Sequence, residues 1–226
     1  MLIPELRDLS GKKQIRIIPS TYPPINFFEN LVAPDEMEIL WKIESLTNDR
    51  ILEEVGELHL VKPEDRVSGE GASVVMAAFT HIHYPSRFTD GSYGVYYAGL
   101  NLETAVHETV YHRERFFSAT QESACEISMR VYEGVIEKPL HDVRTKQYTA
   151  LHHPHVYTES QLFGRELRAT DSYGILYNSV RHAGGLCIAA FKPRAVSIPK
   201  VNAHLRYIWN GKRIIEVYDA KMILQF

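Results

Sequence analysis

The fold of this chain is decided by one continuous stretch, Arg87-Phe-Thr-Asp-Gly-Ser-Tyr-Gly-Val-Tyr-Tyr-Ala-Gly-Leu-Asn-Leu-Glu-Thr-Ala-Val-His-Glu108. It joins an arginine, a glycine-bearing turn, a short aromatic strand and the first turns of a helix. The strand is predicted over Ser92 to Ala98. The helix is predicted to begin at Asn101 or Glu103 and to run through Glu114, because capping residues and first-turn acids are typical of helix starts. Strand and helix together therefore hold a cation, aromatic rings and a carboxylate close to one another.

The side chains of this stretch suit recognition of a nucleotide. Arg87 carries a permanent charge on a planar fork that fits phosphate. Tyr96 and Tyr97 offer aromatic faces for a flat ring. Glu108 is a carboxylate that can stabilise a developing sugar cation. Each residue alone is equally typical of a salt bridge, a core tyrosine or a helix-surface acid, but the combination predicts an enzyme that holds a nucleotide and cleaves a glycosidic bond.

Composition narrows the class of protein. The chain has 226 residues, enough for one substantial core. Its net charge of -3 and pI near 6.4 lack the basic character of a nucleic-acid-binding surface. No apolar run reaches the roughly 18 residues of a membrane helix, and residues 1–16 lack the apolar core of a signal peptide. We therefore expect a cytoplasmic protein without membrane or direct nucleic-acid contacts, with Cys125 and Cys187 free and buried.

The predicted elements are many short strands with few helices and no regular alternation of the two, which indicates the α+β class. Further strands are predicted over Ile127–Tyr132, Val135–Leu140, Gly174–Tyr177 and Leu186–Phe191, helices over Pro34–Leu46 and Gln161–Leu167, and an Asn-Gly hairpin turn within Ile208–Ile215. The apolar run Val74–Ile82 fits a strand or a helix.

A loop with two glycines, Pro63–Ala72, marks the expected boundary between two parts of the chain. Residues 1–70 are predicted to form an N-terminal extension that packs on the main domain. Its first 30 residues are expected to be irregular, because their prolines interrupt regular ladders. Residues 71–226 are predicted to form the main domain, which ends in a C-terminal hairpin.

The eleven histidines do not show the spacing of a metal site. His107 and His112 lie five residues apart, so at about 100° per residue their side chains point some 140° away from each other. The other clusters are His81 with His83, and His152 with His153 and His155. Neither cluster has a cysteine nearby, and we expect no metal. The nucleophile elbow Gly-x-Ser-x-Gly and the phosphate-binding Gly-rich loops are absent from the sequence.

Three separated motifs stand in order between Ala72 and Pro199, over more than half of the chain. They are Arg87-Phe with Gly94-x-x-Tyr97, then Glu103-Thr-Ala-x-x-Glu108, then Tyr177-x-Ser179-Val-Arg181 followed by Gly184-Gly185 and Ala189-Ala-Phe-Lys-Pro193. In this order and spacing the chain resembles the RES domain family. That family is named for an arginine, a glutamate and a serine, which here correspond to Arg87, Glu108 and Ser179.

The resemblance implies an ADP-ribosyltransferase-like fold, which is a split, mainly antiparallel sheet with flanking helices and an NAD cleft between its halves. It implies catalytic roles for Glu108, Arg87 and Ser179. Arg87 would bind the pyrophosphate or ribose, Tyr97 would pack on the nicotinamide ring, and Ser179 would hydrogen-bond the nicotinamide amide or the ribose. Arg181 would add a phosphate contact. The family often has asparagine where Cys187 stands. NAD would be a substrate, and no separate cofactor is expected.

The resemblance also implies a biological role. Characterised members of the family are toxins of toxin–antitoxin pairs, and most of them consume NAD by hydrolysis or phosphorolysis. Their partner is an Xre-type helix-turn-helix antitoxin. The expected function is thus an NAD glycohydrolase or NAD phosphorylase that cleaves the nicotinamide–ribose bond with water or phosphate as acceptor. Two alternatives stay open: a protein ADP-ribosyltransferase, and a non-enzymatic member that binds a partner. The sequence also leaves open a homodimer and the role of the extension.

Overall fold

A computed structural model describes residues 3–20, 56–221 and 223–224, and this part of the chain builds one nine-stranded sheet flanked by α-helices. The strands are β1 (Leu6–Arg7), β2 (Lys13–Pro19), β3 (Tyr96–Gly99), β4 (Cys125–Val135), β5 (Leu140–Asp142), β6 (Gly174–Asn178), β7 (Leu186–Ala190), β8 (Lys200–Trp209) and β9 (Ile214–Asp219). The helices are α1 (Ala72–Thr80), α2 (Leu102–Thr120) and α3 (Thr158–Ala169), with 3-10 turns at Leu58–Leu60, Pro63–Asp65, Lys146–His152 and Pro193–Ala195.

The sheet has two halves that meet at a weak junction. Its strand order is β1-β5-β6-β7-β3-β2-β4-β8-β9, and all neighbours are antiparallel except β5 and β6. β2 pairs with β4 along its whole length but with β3 at one position, Ile15 opposite Gly99. Beyond that pair the two strands diverge, so the sheet opens between its halves. The predicted α+β class and the split, mainly antiparallel sheet are confirmed.

The pattern of buried residues in the strands differs between the two halves of the sheet, because helices cover them differently. In β4, Ile127, Met129 and Val131 point inward and pack with α2. β6 and β7 are instead buried on both faces, because α1 covers one side and α3 with the Lys146–His152 turn covers the other. Strands that are buried on both faces read as continuous apolar runs rather than alternating ones.

α2 is the helix that carries the predicted catalytic glutamate, and its position is set at its first turn. Asn101 caps it, since the Asn101 Oδ1 accepts the Thr104 N–H at 2.8 Å. Gly99 in β3 lets the helix approach closely, because a Cβ at this position would lie 2.8 Å from the Ala105 nitrogen. The inward face of α2 is therefore held directly against the junction of the two sheet halves.

Most of the strongly patterned elements are found where the sequence predicts them. The predicted strands over Ile127–Tyr132, Gly174–Tyr177 and Leu186–Phe191 correspond to β4, β6 and β7, and α2 and α3 are present. The run Val74–Ile82 is largely helical, as part of α1. The predicted Asn-Gly hairpin joins β8 and β9, where the Asn210 side chain accepts two backbone N–H groups of the turn.

Other predictions are wrong. The predicted single strand over Val135–Leu140 is instead the end of β4 at Val135, the start of β5 at Leu140 and the connection between them. Residues 13–19 form β2 rather than irregular structure, because Ile15 and Ile17 alternate into the core. Cys187 is free and buried, but Cys125 at the start of β4 is exposed.

Some predictions fall outside what the structure tests. The helix predicted over Pro34–Leu46 lies outside the described residues. The division of the chain near residue 70 stays a prediction, although β1 and β2 from the assigned extension belong to the sheet. Within the described residues, no helix has the length and apolar character that crossing a membrane requires.

Candidate active site

A cleft of about 310 Å³ opens where β2 and β3 diverge. Its walls come mainly from β2, β3 and α2, with one residue each from β4, β6 and β7. The segments that contain Arg87, Tyr157 and Arg181 complete the lining. Of the residues predicted from the sequence, four line it: Arg87, Tyr97, Glu108 and Arg181. The structure thus brings together side chains that are up to 94 positions apart in the sequence. A cavity of this size at a break in a sheet is typical of small-molecule sites.

Glu108 and Ser179 form the centre of this site. The Ser179 hydroxyl donates to Glu108 Oε1 at 2.6 Å, a short bond of the kind made to a carboxylate. The same oxygen of Ser179 accepts the N–H groups of Arg181 and His182, at 3.1 and 3.0 Å. A serine hydroxyl has one donor hydrogen and two acceptor lone pairs, so these three bonds use its full capacity.

This saturation changes the expected role of the serine. The sequence predicts that Ser179 hydrogen-bonds a substrate, yet the residue does not line the cleft and is only 9% exposed. Its hydroxyl fixes Glu108, and its own position is fixed by the turn that follows β6. In the structure the Ser179 hydroxyl therefore bonds Glu108 and the turn that follows β6, and Glu108 is the residue that lines the cleft.

Cys187 completes the surroundings of Glu108 from β7. Its Sγ lies 3.8 Å from Glu108 Oε1, at the distance of a weak S–H donation. Burial first, and then the neighbouring carboxylate, raise the pKa of the thiol well above its ordinary value. A thiol that stays protonated is a poor nucleophile. Cys187 therefore contacts Glu108 as a protonated thiol.

Arg87 is a largely buried residue in the wall of the cleft. Its Nη1 donates to the carbonyl oxygens of Leu151 and His153, both at 3.0 Å. Its guanidinium also stacks on the ring of Tyr157, 4.7 Å from the centroid. Within the described residues, its Nε and Nη2 make no hydrogen bond. One edge of the arginine fork is therefore used by the fold, and the other is available to an anion.

Tyr97 and Arg181 are also held by the protein. The Tyr97 hydroxyl bonds Ser86 Oγ at 2.8 Å and accepts the Phe88 N–H at 3.0 Å, so the ring is fixed in the cleft wall. Burial raises the pKa of Tyr97 to about 12, and the phenol is neutral. Arg181 stacks on the Tyr111 ring at 3.4 Å and donates to the Pro154 carbonyl.

Among the cleft residues that were not predicted from the sequence are Arg16, His112 and Tyr157. Arg16 extends from β2 at the opening of the sheet, and its Nη1 donates to the Tyr97 carbonyl at 3.0 Å. Its Nε is buried and finds no hydrogen-bond partner in the described part of the chain. A buried donor without a partner is costly unless a ligand completes it. No local motif marks Arg16, because the cleft reaches it only through the pairing of β2.

His112 lies four residues after Glu108 on α2 and lines the cleft, where it keeps an accessible surface. The dense surroundings desolvate its ring, and Arg181, Arg115 and Arg113 add positive charge. Together these effects lower the pKa of His112 to about 4. His112 is therefore a neutral imidazole at neutral pH, and the turn spacing from Glu108 is the signal that could have found it.

A second polar cluster lies on α2 outside the cleft. Glu103, His107 and His182 each offer one ligand atom, and these atoms all lie within 4.8 Å of one another. The spacing argument against a metal site applies to histidines that are close in sequence. His107 and His182 are 75 positions apart, so that argument does not cover them. The histidine clusters considered there make local contacts: His83 bonds Glu57, and His152 bonds Tyr148 and Asn178.

Comparison with known proteins places this site in a family. The model of the RES domain matches residues 63–210. A curated relative, "Uncharacterized protein y4oC" of Sinorhizobium fredii, is 29% identical over 204 residues, which cover 90% of this chain and 85% of the relative.

Among solved structures, the chain is similar to one described as the M. tuberculosis MbcT-MbcA toxin-antitoxin complex. The TM-score is 0.42 at 10% identity, with 59% of this chain and 76% of that chain covered. A likeness at this level carries no argument. The family match is different in kind, because it spans more than half of the chain and includes Arg87, Tyr97, Glu108 and Ser179. This chain belongs to the RES domain family.

Proposed function

We propose that this protein is an NAD-consuming enzyme that cleaves the bond between nicotinamide and ribose. The observation that carries the proposal is the position of Glu108, which Ser179 holds at a cleft that also contains Arg87, Tyr97 and Arg181. A fixed carboxylate between aromatic and cationic side chains matches the three chemical parts of a dinucleotide: a sugar, a flat base and phosphates. Membership of the RES domain family supports the same substrate.

The chemistry follows from the charges. When the bond between ribose C1′ and the nicotinamide nitrogen breaks, its electron pair leaves with nicotinamide, and positive charge develops on the ribose. Glu108 stabilises that charge more in the transition state than in the ground state, because the charge is largest there. Nicotinamide leaves as a neutral molecule, so a strong general acid is not required. An acceptor oxygen then adds to C1′ and loses its proton.

The other residues bind and orient NAD. The free edge of Arg87 is a donor for the pyrophosphate, with Arg16 and Arg181 as further cations at the cleft. Tyr97 offers its ring to the nicotinamide, and its neutral phenol is already committed to the protein. Neutral His112 is an acceptor for a ribose hydroxyl. Ser179 acts through Glu108.

We further propose that the protein is the toxin of a toxin–antitoxin pair, with water or phosphate as the acceptor. An Xre-type helix-turn-helix protein is the proposed antitoxin, and the cytoplasm, which holds NAD, is the proposed location. These proposals rest on the family resemblance.

The test uses the purified full chain with NAD, in the presence and absence of phosphate, and follows nicotinamide release. Labelled NAD identifies the acceptor, since free ADP-ribose indicates water, its phosphate ester indicates phosphate, and a labelled protein band indicates transfer to protein. Glu108→Gln removes the charge and keeps the shape, and Glu166→Gln on the exposed face of α3 is the matched control. Nicotinamide release by Glu108→Gln at the wild-type rate would rule out the assignment.

The biological role needs its own experiment. Regulated expression of the wild-type chain should lower cellular NAD and stop growth, whereas Glu108→Gln should do neither. Coexpression of the proposed antitoxin should restore NAD. Growth arrest with unchanged NAD would contradict depletion of NAD as the cause. If calorimetry also found no NAD binding, a non-enzymatic role in partner binding would be favoured.

A further inference from the structure

We propose that Glu103, His107 and His182 form a binding site for a divalent transition-metal ion of the zinc type. The site lies on the face of α2 that points away from the cleft, and it does not depend on the proposed NAD chemistry. Two imidazoles and one carboxylate are the ligands that zinc, nickel and copper prefer, whereas magnesium and calcium favour sites made of oxygen. The set has three protein ligands, which leaves one position of a tetrahedral ion for water.

The helix supplies two of the ligands in a suitable arrangement. Glu103 and His107 are four residues apart on α2, so they lie one above the other on the same face. Both side chains are exposed and can change rotamer. This pair differs from His107 and His112, whose spacing turns them away from each other.

The third ligand comes from the turn between β6 and β7. His182 Nε2 lies 3.6 Å from Glu103 Oε1. Two ligands of a tetrahedral zinc ion are about 3.4 Å apart when each bond is about 2.1 Å. The Glu103–His182 pair is therefore already at ligand spacing. The ring of His107 stacks on that of His182, with centroids 4.8 Å apart and planes at 16°, so a rotation of the exposed His107 side chain completes the set.

The surroundings of His182 favour a nitrogen that faces the ion. Its Nδ1 lies 2.9 Å from the Thr104 hydroxyl, on the side away from Glu103. When Nδ1–H donates to this hydroxyl, Nε2 keeps its lone pair for a metal, which is the arrangement usual for histidine ligands. Gly185 leaves the room that this contact needs, because a Cβ there would lie 2.6 Å from Thr104 Oγ1 and 2.8 Å from His182 Nδ1.

Metal at this site would connect α2 to the turn that holds the catalytic carboxylate. The His182 N–H donates to Ser179 Oγ, and Ser179 in turn donates to Glu108. An ion shared by Glu103, His107 and His182 would fasten residues 179–185 to the first turns of α2. Without metal, this outer face has the Glu103–His182 contact, the Thr104–His182 bond and the stacked rings of His107 and His182.

The test is a calorimetric titration of the full chain with zinc sulfate, supported by cobalt(II), whose visible absorption reports tetrahedral coordination. We expect one ion per chain. Glu103→Gln and His107→Gln each remove one ligand from an exposed position and should weaken binding at least tenfold. His204→Gln, an exposed histidine on β8, is the matched control and should bind as the wild type does. Circular dichroism checks that each variant is folded.

Two outcomes would overturn the proposal. One is the absence of saturable binding by the wild type, which would leave the three residues as an ordinary ion pair beside stacked rings. The other is binding that both ligand variants keep at full strength, which would place the ion elsewhere. Hydrogen exchange provides an independent readout. Zinc should slow exchange at the amides of residues 179–185 in the wild type and in His204→Gln, but not in His107→Gln, and unchanged exchange in the wild type would contradict the tether.

Discussion

Glu103 and Glu108 of α2 carry the same charge and lie five residues apart, yet their surroundings in the protein are opposite. Glu108 faces the cleft, where Ser179 and Cys187 bond the same carboxylate oxygen. Glu103 faces outward with 73% of its side chain exposed, near His182. Five residues rotate a helix position by about 140°, so one helix presents two different carboxylates to one turn of the chain. Their chemistry is decided by what surrounds them, not by the residue type.

The largest effect is expected when the charge of Glu108, the glutamate at the cleft, is removed. Glu108→Gln should lower the rate of NAD cleavage by about a thousandfold, because preorganised groups that stabilise transition-state charge contribute on the order of 10²–10³ each. Single-turnover measurement of nicotinamide release checks this. The control Glu166→Gln should retain the wild-type rate. A loss below tenfold in Glu108→Gln would mean that the inner carboxylate is structural.

Ser179 tests whether the inner glutamate depends on its hydrogen bond. Ser179→Ala should lower kcat about 10- to 100-fold with little change in KM, because a hydrogen bond to a charged group contributes about 1.5–3 kcal/mol and this one acts on Glu108. Ser179→Thr keeps a hydroxyl and should recover much of the activity. If Ser179→Ala mainly raised KM, the serine would contact substrate directly, as the sequence alone suggests.

Arg16 tests the opposite wall of the cleft. Arg16→Gln should raise the KM for NAD about tenfold with kcat almost unchanged, because it removes a charge-assisted donor from the phosphate region. Arg165→Gln is the matched control, since Arg165 is an exposed arginine that pairs with Asp90 away from the cleft. Steady-state kinetics separates the two parameters. A fall in kcat alone would place Arg16 at the reacting bond instead.

His112 should make the stability of the protein depend on pH. Its pKa is lowered from 6.5 to about 4 by desolvation and the nearby arginines, so between these values the unfolded chain binds more protons than the folded one. The free energy of unfolding should therefore fall as pH drops from 6.5 towards 4. His112→Gln should show a shallower fall in urea unfolding at pH 7 and pH 5. Direct NMR titration of His112 near pH 6.5 would contradict the assigned environment.

Substitution of Asn101 should have the smallest effect. Asn101 caps α2, so its loss affects the start of the whole helix and not one face of it. Asn101→Ala removes the cap bond to Thr104 and should lower the free energy of unfolding by about 1 kcal/mol. Asn101→Ser keeps a capping oxygen and should cost less. Urea denaturation of the two variants measures the difference. Equal stability of wild type and alanine variant would mean that packing against β3 alone fixes the start of the helix.

Local patterns predicted much of this molecule. The capping residue and acids at the start of α2, the alternation in β4 and the Asn-Gly turn each depend on neighbours in sequence, and each was found in place. The family resemblance singled out Arg87, Tyr97, Glu108 and Arg181, and all four line the cleft.

What the sequence did not reveal depends on pairings between distant segments. Arg16 enters the cleft only because β2 pairs with β4 and parts from β3. The full hydrogen-bonding capacity of Ser179 is used by backbone groups of a turn that has no spacing signature. His182 meets His107 from 75 positions away. Such contacts are set by strand register and loop geometry, which periodicity does not encode.

The central place of β2 has a consequence for the timing of activity during synthesis. Residues 13–19 leave the ribosome among the first, but their partner strand, residues 125–135, comes more than a hundred positions later, and β7 with the Ser179 turn later still. At about 5–20 residues per second, early segments wait for several seconds before the cleft can close around Arg16. A growing chain of this protein therefore cannot assemble the cleft until most of its sequence has been translated.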